Sequence, residues 1–248
     1  MKRRARPPGR ERMKKVIRGA AVLGGLLLVV ALLLTAVDVG AFAPSFYQNQ
    51  FETLDVMEDT GMEEDDLLTA LTALLDYIRG QREDIVVIAP VDGELREVFD
   101  ARETAHMVDV RALYAGAMAV RTACLALGAA LIAFAAYRMR DGGALCKRVL
   151  FGFAAGLGLI AAIAAVAAVD FNWFWTQFHH VFFTNDLWLL DPFTSIMINM
   201  LPEPLFGALV GRIVLWFFGL FAVGVLVCAL GIGLAKRKER LHANDSGH

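Results

Sequence analysis

The stretch that decides the fold is GAAVLGGLLLVVALLLTAVDVGA, which covers residues 19–41 and carries a single charged side chain, Asp38. A helix of this length crosses the roughly 30 Å hydrocarbon core of a bilayer at about 1.5 Å per residue. Because the run is longer than the apolar region of a secretory signal, we interpret it as a retained anchor. Similar apolar runs follow at residues 111–137, 149–169 and 206–235. The sequence therefore predicts a mainly α, polytopic membrane protein with four transmembrane helices.

The formal net charge of −2 hides a strong segregation of charge along the chain. Basic side chains are concentrated in residues 1–18, 138–148 and 236–248, which the positive-inside rule places in the cytoplasm together with both termini. Residues 42–110 carry an excess of acids, and residues 170–205 contain no Lys or Arg. These two segments are predicted to face outward. The basic segments favour contact with anionic membrane lipids, whereas a nucleic-acid partner is not indicated because no aromatic residues are interleaved with them.

Residues 42–110 have the pattern of a small α/β insertion between the first two transmembrane helices. Apolar residues recur at helical spacing from Glu63 to Arg79, with Gly80 where a C-terminal cap belongs. A short hairpin is predicted at residues 85–99, and a helix is expected to begin after Asp100 and to continue into the second apolar run.

Residues 170–205 have the pattern of an aromatic segment at the membrane surface. The dense rings between Phe171 and Phe193 are typical of the boundary between lipid and water, so a helix lying along that boundary is expected. Asp191 and Pro192 predict the start of a second short helix, with Asp191 as N-cap. An aromatic belt alone does not explain the polar side chains among these rings, because polar groups in an apolar setting are costly unless they are paired or used. These are His179, His180, Asn185, Asp186 and Asp191.

Candidate chemistry therefore centres on histidine. On the helix after Asp100, Glu103 and Asp109 lie one turn either side of His106, so both are candidate orienters of its imidazole. The predicted topology brings His106 and His179 to the same side of the membrane. The common alternative for a lone histidine is a solvated position on a charged helix face.

Two stretches resemble the signatures of a bacterial four-span membrane family that includes the lipoprotein intramolecular transacylase. They are RETAHMVDVR at residues 102–111 and FHHVFFTNDLWLLDP at residues 178–192, the latter followed by Leu201-Pro202. The resemblance implies an acyltransferase of the bacterial cytoplasmic membrane. Such an enzyme moves an acyl chain from the diacylglyceryl group of a lipoprotein to the amino group of its N-terminal cysteine, at the outer leaflet and with no cofactor. The product is a lyso-form N-acyl lipoprotein.

The resemblance also implies that His106 and His179 are catalytic. Acyl transfer from an ester to an amine requires a base, an acid and donors for the oxyanion, and two histidines supply the first two roles. Which histidine is the base stays open, as does a covalent acyl-imidazole. Supporting roles are expected for Glu103, Asp109, His180, Asn185, Trp188 and Asp191, of which Asn185 and Trp188 are candidate donors to a carbonyl or a headgroup. Substrate contacts are expected for Arg111, Arg121 and Phe178, although Arg121 is alternatively a structural partner of Asp38 or Asp170.

Two other functions remain as alternatives. One is a metal-dependent membrane hydrolase, although the chain lacks a metal-binding spacing such as His-Glu-x-x-His, so no metal site is predicted. The other is a non-enzymatic membrane sensor or assembly factor that binds a ligand through residues 42–110. The three cysteines are too few for a disulfide framework. The oligomeric state is not predicted by the sequence.

Overall fold

The computed structural model describes residues 8–245. Lys2, Arg3, Arg4 and Arg6 of the predicted basic N-terminus, and residues 246–248 of the tail, lie outside the described residues. Nine helices and two strands follow one another in the described part of the chain. In order they are α1 (Pro8–Ala41), α2 (Pro44–Thr53), α3 (Val56–Thr60), α4 (Glu64–Ile78), β1 (Ile88–Val91), β2 (Glu94–Glu97), α5 (Ala101–Met139), α6 (Gly142–Val169), α7 (Phe171–Phe182), α8 (Ile196–Met200) and α9 (Glu203–Asp245).

Four helices are long and apolar enough to cross a membrane, judged by length and composition. They cover Glu11–Ala41, Ala101–Met139, Gly142–Val169 and Glu203–Lys238. The prediction of a mainly α fold with four such helices and a small strand pair is confirmed. The residues at which each helix enters and leaves the bilayer stay a prediction.

The chain divides into two compact units. The first consists of residues 8–35, 120–166 and 217–245 among those described. Here α1 and α6 approach so closely that a Cβ atom at Gly25 would collide with the carbonyl oxygen of Val149, and one at Gly152 with that of Val22. Small residues at such crossings let helix backbones meet within a bilayer. Gly152 therefore permits the close approach of α6 to α1.

The second unit consists of residues 36–119 and 167–216 and contains the predicted insertion. Its core is built on the apolar face of α4, where Leu67, Leu71 and Leu74 are almost fully buried. The helix ends as predicted: Gly80 has a φ of +76°, its N–H donates to Tyr77 O, and the N–H of Gln81 donates to Asp76 O. This paired arrangement satisfies the last carbonyls of the helix.

The hairpin is also confirmed. Strands β1 and β2 pair antiparallel with Val91 opposite Glu94, which leaves Asp92 and Gly93 as the two turn residues. Both have positive φ values, 53° and 80°, as the tight turn that matches strand twist requires.

One predicted helix start is wrong. Helix α8 begins at Ile196, with Ser195 as the N-cap whose side chain accepts from the N–H of Ile198. Asp191 instead closes a turn, because its carboxylate accepts from the N–H of Phe193 and its carbonyl accepts from the N–H groups of Thr194 and Ser195.

Candidate active site

His106 and His179 come together in the second unit. His106 lies in the second turn of α5 and His179 near the end of α7, and the two ring centroids are 6.2 Å apart with 34° between the ring planes. Each residue is only 7% exposed. The structure thus brings together two imidazoles that are far apart in the sequence.

Aromatic rings surround this pair. Phe183 packs against both imidazoles, with centroid distances of 5.2 Å to His106 and 5.5 Å to His179. The indole of Trp188 stacks on His179 at 4.7 Å, and Trp175 meets the same ring edge-on at 4.9 Å. Phe178, predicted to contact substrate, packs edge-on against His179 at 5.6 Å. The aromatic residues that predicted a segment at the membrane boundary therefore also surround the two histidines.

A backbone carbonyl fixes the protonation pattern of His179. Its Nδ1 lies 2.8 Å from the carbonyl oxygen of Trp175, one turn earlier in α7. A carbonyl oxygen only accepts hydrogen bonds, so Nδ1 must carry a proton, and in the neutral ring Nε2 is left with a free lone pair. Burial lowers the pKa of His179 below its usual 6.5, the bond to the Trp175 carbonyl opposes that shift, and the charge of His180 adds to it. The neutral, basic form of this ring is thereby favoured.

No comparable bond holds His106. Neither of its ring nitrogens has a hydrogen-bond partner among residues 8–245, and its Nδ1 is fully shielded from solvent. Only one other shielded side-chain nitrogen or oxygen in the described chain lacks a partner, the Nε1 of Trp188. Shielded polar atoms are nearly always paired in native proteins, so two exceptions around one pair of histidines make this place a candidate binding site.

Glu103 does not orient His106 by a hydrogen bond, contrary to the expectation from its position one turn earlier. Glu103 is 1% exposed, and its carboxylate contacts the start of α5 and the start of α8 instead of His106. Oε2 accepts from the N–H of Asp100 at 2.6 Å, while Oε1 accepts from Ser195 Oγ at 2.5 Å and from the N–H of Met197 at 2.8 Å. Together with the bonds from Arg102 N and Glu103 N to Asp100 Oδ1, this forms a capping box at the start of α5. Glu103 therefore caps α5 and holds the N-terminus of α8.

Asp109 likewise reaches another segment. Its Oδ2 accepts from the amide of Asn185 at 2.8 Å, and Asn185 in turn accepts from the N–H of Leu187. Arg102 donates to the carbonyl oxygen of Asp186. The first turns of α5 are thus joined to the segment that carries Trp188 by side chains on both flanks of His106.

The remaining predicted residues are placed less centrally. His180 is exposed and packs edge-on against Trp188 at 5.2 Å, and Asp191 makes its hydrogen bonds within the turn before α8. The guanidinium of Arg111 lies over the ring of Tyr77, 4.7 Å from its centroid. Arg121 belongs to the first unit, so its expected substrate or structural role stays a prediction.

Sequence reasoning missed three contributors to the site: the Trp175 carbonyl, Phe183 and Ser195. Ser195 carried a usable signal, because a serine directly before an apolar run is a typical N-cap. No sequence signal marks a backbone carbonyl that binds a side chain.

The sequence model of one protein family, described as the lipoprotein intramolecular transacylase, matches residues 22–206. The chain belongs to this family. Transacylases of this family are acyltransferases, and the matched region includes both His106 and His179. Among curated proteins, none matches the chain.

Solved structures of the transacylase from Bacillus cereus share the fold. A variant with a histidine replaced by arginine is 20% identical over 94% of this chain and 99% of its own, with a TM-score of 0.70. A second structure is 21% identical over 93% and 99% of the two chains, with a TM-score of 0.66. A variant with a histidine replaced by alanine is 18% identical over 94% and 99%, with a TM-score of 0.71.

The family's membrane-integral character agrees with the four apolar helices of this chain. A metal-dependent hydrolase, the first alternative function, would need a cluster of metal-ligating side chains. Among residues 8–245, no group of three or more His, Cys, Asp or Glu side chains is placed to hold a metal ion.

Proposed function

We propose that this transacylase moves an acyl chain from the diacylglyceryl group of a lipoprotein to the amino group of its N-terminal cysteine, by acid–base catalysis at His106 and His179. The observation that carries the proposal is the pairing of these two imidazoles, 6.2 Å apart, within a wall of aromatic rings. At this centroid separation, a carbonyl held at the edges of the two rings is close to both imidazoles, and each can exchange a proton with the reacting groups.

The reaction is balanced without a cofactor. The cysteine nitrogen forms a bond to the ester carbonyl carbon, and the bond from that carbon to the glycerol oxygen breaks. The nitrogen gives up one proton as it attacks, and the glycerol oxygen takes up one proton as it leaves. Positioned proton transfer of this kind contributes about 10²–10⁴-fold to a rate.

His179 is the better base. Its Nδ1 is bound to the Trp175 carbonyl, which leaves the lone pair of Nε2 free to accept a proton, and its lowered pKa favours the neutral ring. His106, whose nitrogens have no partner among the described residues, then donates the proton to the glycerol oxygen. Two imidazolium ions at this separation repel each other, so at most one of the two rings is cationic at any stage of the reaction.

The aromatic surroundings favour transfer to an amine over hydrolysis. Rings on several sides of His179 leave little room for water beside the base, so the cysteine amine competes with fewer water molecules for the ester. The same rings suit a substrate that arrives with two acyl chains.

We further propose that the site faces the outer leaflet of the bacterial cytoplasmic membrane, with both termini in the cytoplasm. Both histidines lie in segments poor in basic residues, whereas the segments at the other helix ends are rich in Lys and Arg. Large apolar side chains are exposed along the aromatic segment, among them Trp173 at 52%, Leu189 at 53% and Phe193 at 93%. Exposed apolar side chains of this number are typical of a surface that meets lipid.

The test is mass spectrometry of lipoprotein N-termini from a bacterial host that makes diacylglyceryl lipoproteins and expresses this chain. The lyso-form N-acyl product is expected with the natural sequence, and a loss of about 10²–10⁴-fold in rate is expected for His179→Gln and for His106→Gln. His242→Gln, outside the family match, is the control for the exchange itself. An unchanged diacyl form, with the protein confirmed in the membrane, would refute the proposal.

Chelation separates the proposal from the metal-dependent alternative. Acid–base catalysis by two histidines predicts the same rate before and after treatment with EDTA. A rate that falls with EDTA and returns with added zinc would instead support a metal-dependent enzyme.

A further inference from the structure

The indole N–H of Trp188 is the starting observation. It is shielded from solvent and has no acceptor within the described residues. Unlike an imidazole nitrogen, it can act only as a donor. Leaving such a group unpaired in an apolar environment costs about 1–3 kcal/mol, so an unpaired buried donor is rare and indicates a binding role.

Two neighbouring polar side chains are already engaged. The amide of Asn185, which the sequence also suggested as a donor to substrate, binds Asp109. The hydroxyl of Ser195 binds Glu103. Apart from the nitrogens of His106, the Trp188 N–H is the shielded polar group of the described residues that has no partner here.

The position of the Trp188 ring relates this donor to the base. Its ring stacks on that of His179 with 27° between the planes and 4.7 Å between the centroids. The N–H lies in the plane of the indole and the Nε2 lone pair in the plane of the imidazole, so the two point along nearly parallel planes. The stacking places the indole directly next to the base, so a substrate bound at the His179 ring lies beside the ring that carries the donor.

We propose that Trp188 Nε1 donates a hydrogen bond to the carbonyl oxygen of the ester under attack. This inference rests on the proposed function. As the amine adds, that oxygen gains negative charge, and a donor already fixed in an apolar wall stabilises it more than it stabilises the neutral ester. Trp188 transfers no proton. Because the N–H is shielded in the structure, the ester must displace part of the surrounding wall to reach it.

The decisive variant replaces Trp188 with benzothienylalanine, in which sulfur takes the place of the N–H and the fused ring is kept. Removing one oxyanion donor typically lowers kcat by about 10²–10³-fold, and this loss is expected here with little change in KM. Trp188→Phe, which keeps an aromatic ring without the donor, should lose kcat at least as strongly. Trp173→Phe on α7, whose indole is half exposed, is the matched control and should retain wild-type kcat.

A purely structural role for the indole gives a different result. The benzothienyl ring preserves the stacking on His179, so an enzyme that needs only the ring would keep its kcat with this analogue, and that outcome would overturn the inference. If the benzothienyl enzyme is active while His179→Gln is not, only the Trp188 assignment fails. If His179→Gln is active as well, the proposed function fails with it.

A second measurement does not depend on turnover. In His179→Gln protein labelled with ¹⁵N at the Trp indoles, adding a diacylglyceryl lipopeptide should move the Trp188 indole proton downfield as its hydrogen bond forms. Assignment follows from the signal lost in Trp188→Phe. An indole proton that does not shift when the lipopeptide is saturating would contradict the proposal.

Discussion

Replacing Glu103 with alanine tests how the site is held together. The carboxylate is almost completely buried and accepts three hydrogen bonds, from Asp100 N, Ser195 Oγ and Met197 N. Removing it leaves these three donors without an acceptor in an environment that water reaches poorly. The change should therefore loosen the start of α5 and release the N-terminus of α8 at the same time.

The expected magnitude follows from the number and type of bonds. A hydrogen bond to a charged group contributes about 1.5–3 kcal/mol. Three bonds at the low end of this range amount to about 4.5 kcal/mol, and local relaxation reduces the total. We expect Glu103→Ala to lower the free energy of unfolding by about 3–4 kcal/mol.

The assay is denaturant unfolding in bicelles, followed by circular dichroism, with a double-mutant cycle of Glu103→Ala and Ser195→Ala. Residues that share a hydrogen bond show a coupling of about 0.5–3 kcal/mol in such a cycle. Glu97→Ala, on the exposed strand β2, is the control and should change stability by no more than about 0.5 kcal/mol. If Glu103→Ala and Glu97→Ala have equal effects, or if the two mutations of the cycle are simply additive, the assigned role of the carboxylate is wrong.

Three further predictions concern single residues. Activity should be lost as pH falls through the pKa of His179, which lies below 6.5, because the base must be neutral. His180→Gln removes a charge that lowers this pKa, so the acidic limb of the kcat/KM profile should move to higher pH. An acidic limb that does not move would exclude an influence of His180 on this pKa. Asn185→Asp should lower the free energy of unfolding more than Asn185→Ala, by about 1 kcal/mol, since it sets a carboxylate against Asp109; the difference should shrink in high salt, and a salt-independent difference would contradict repulsion as the cause. Phe193→Ser should change the free energy of unfolding by no more than about 0.5 kcal/mol because the ring is 93% exposed, and a larger loss in the same titration would show that the ring is packed.

The sequence predicted the fold where the signal was local and strong. Four apolar runs of membrane-spanning length leave few alternatives, and the Asp92-Gly93 pair between two short strands requires positive φ values that few other residue pairs adopt. The start of α8 was misjudged because Asp191-Pro192 and Ser195 are competing start signals. The structure favours Ser195, because a helix from Ile196 buries Ile196, Met197 and Met200, whereas the Asp191 carboxylate is satisfied in its own turn.

The site was predictable only in part, for a related reason. Helical spacing showed that Glu103 lies one turn from His106, but that spacing also fits a capping box with Asp100, which is the arrangement observed. The contacts with Ser195 and Met197 depend on two distant segments folding against each other, and no local pattern encodes them. The contact between His106 and His179 is also not encoded by a local pattern. The predicted topology places both histidines on one side of the membrane, but it does not predict the distance between them.

The Glu103 carboxylate caps the N-terminus of α5 and also binds the N-terminus of α8, so the stability of each helix start depends on the other. Fraying of the first turn of α5 breaks the anchor of α8, and detachment of α8 uncovers the same buried oxygen atoms. We expect the two segments to open and close as one cooperative unit, although Glu103 and Ser195 lie 92 residues apart in the sequence. We therefore expect states in which both His106 and His179 are in place and states in which both are displaced. States in which only one of the two histidines is displaced should be rare.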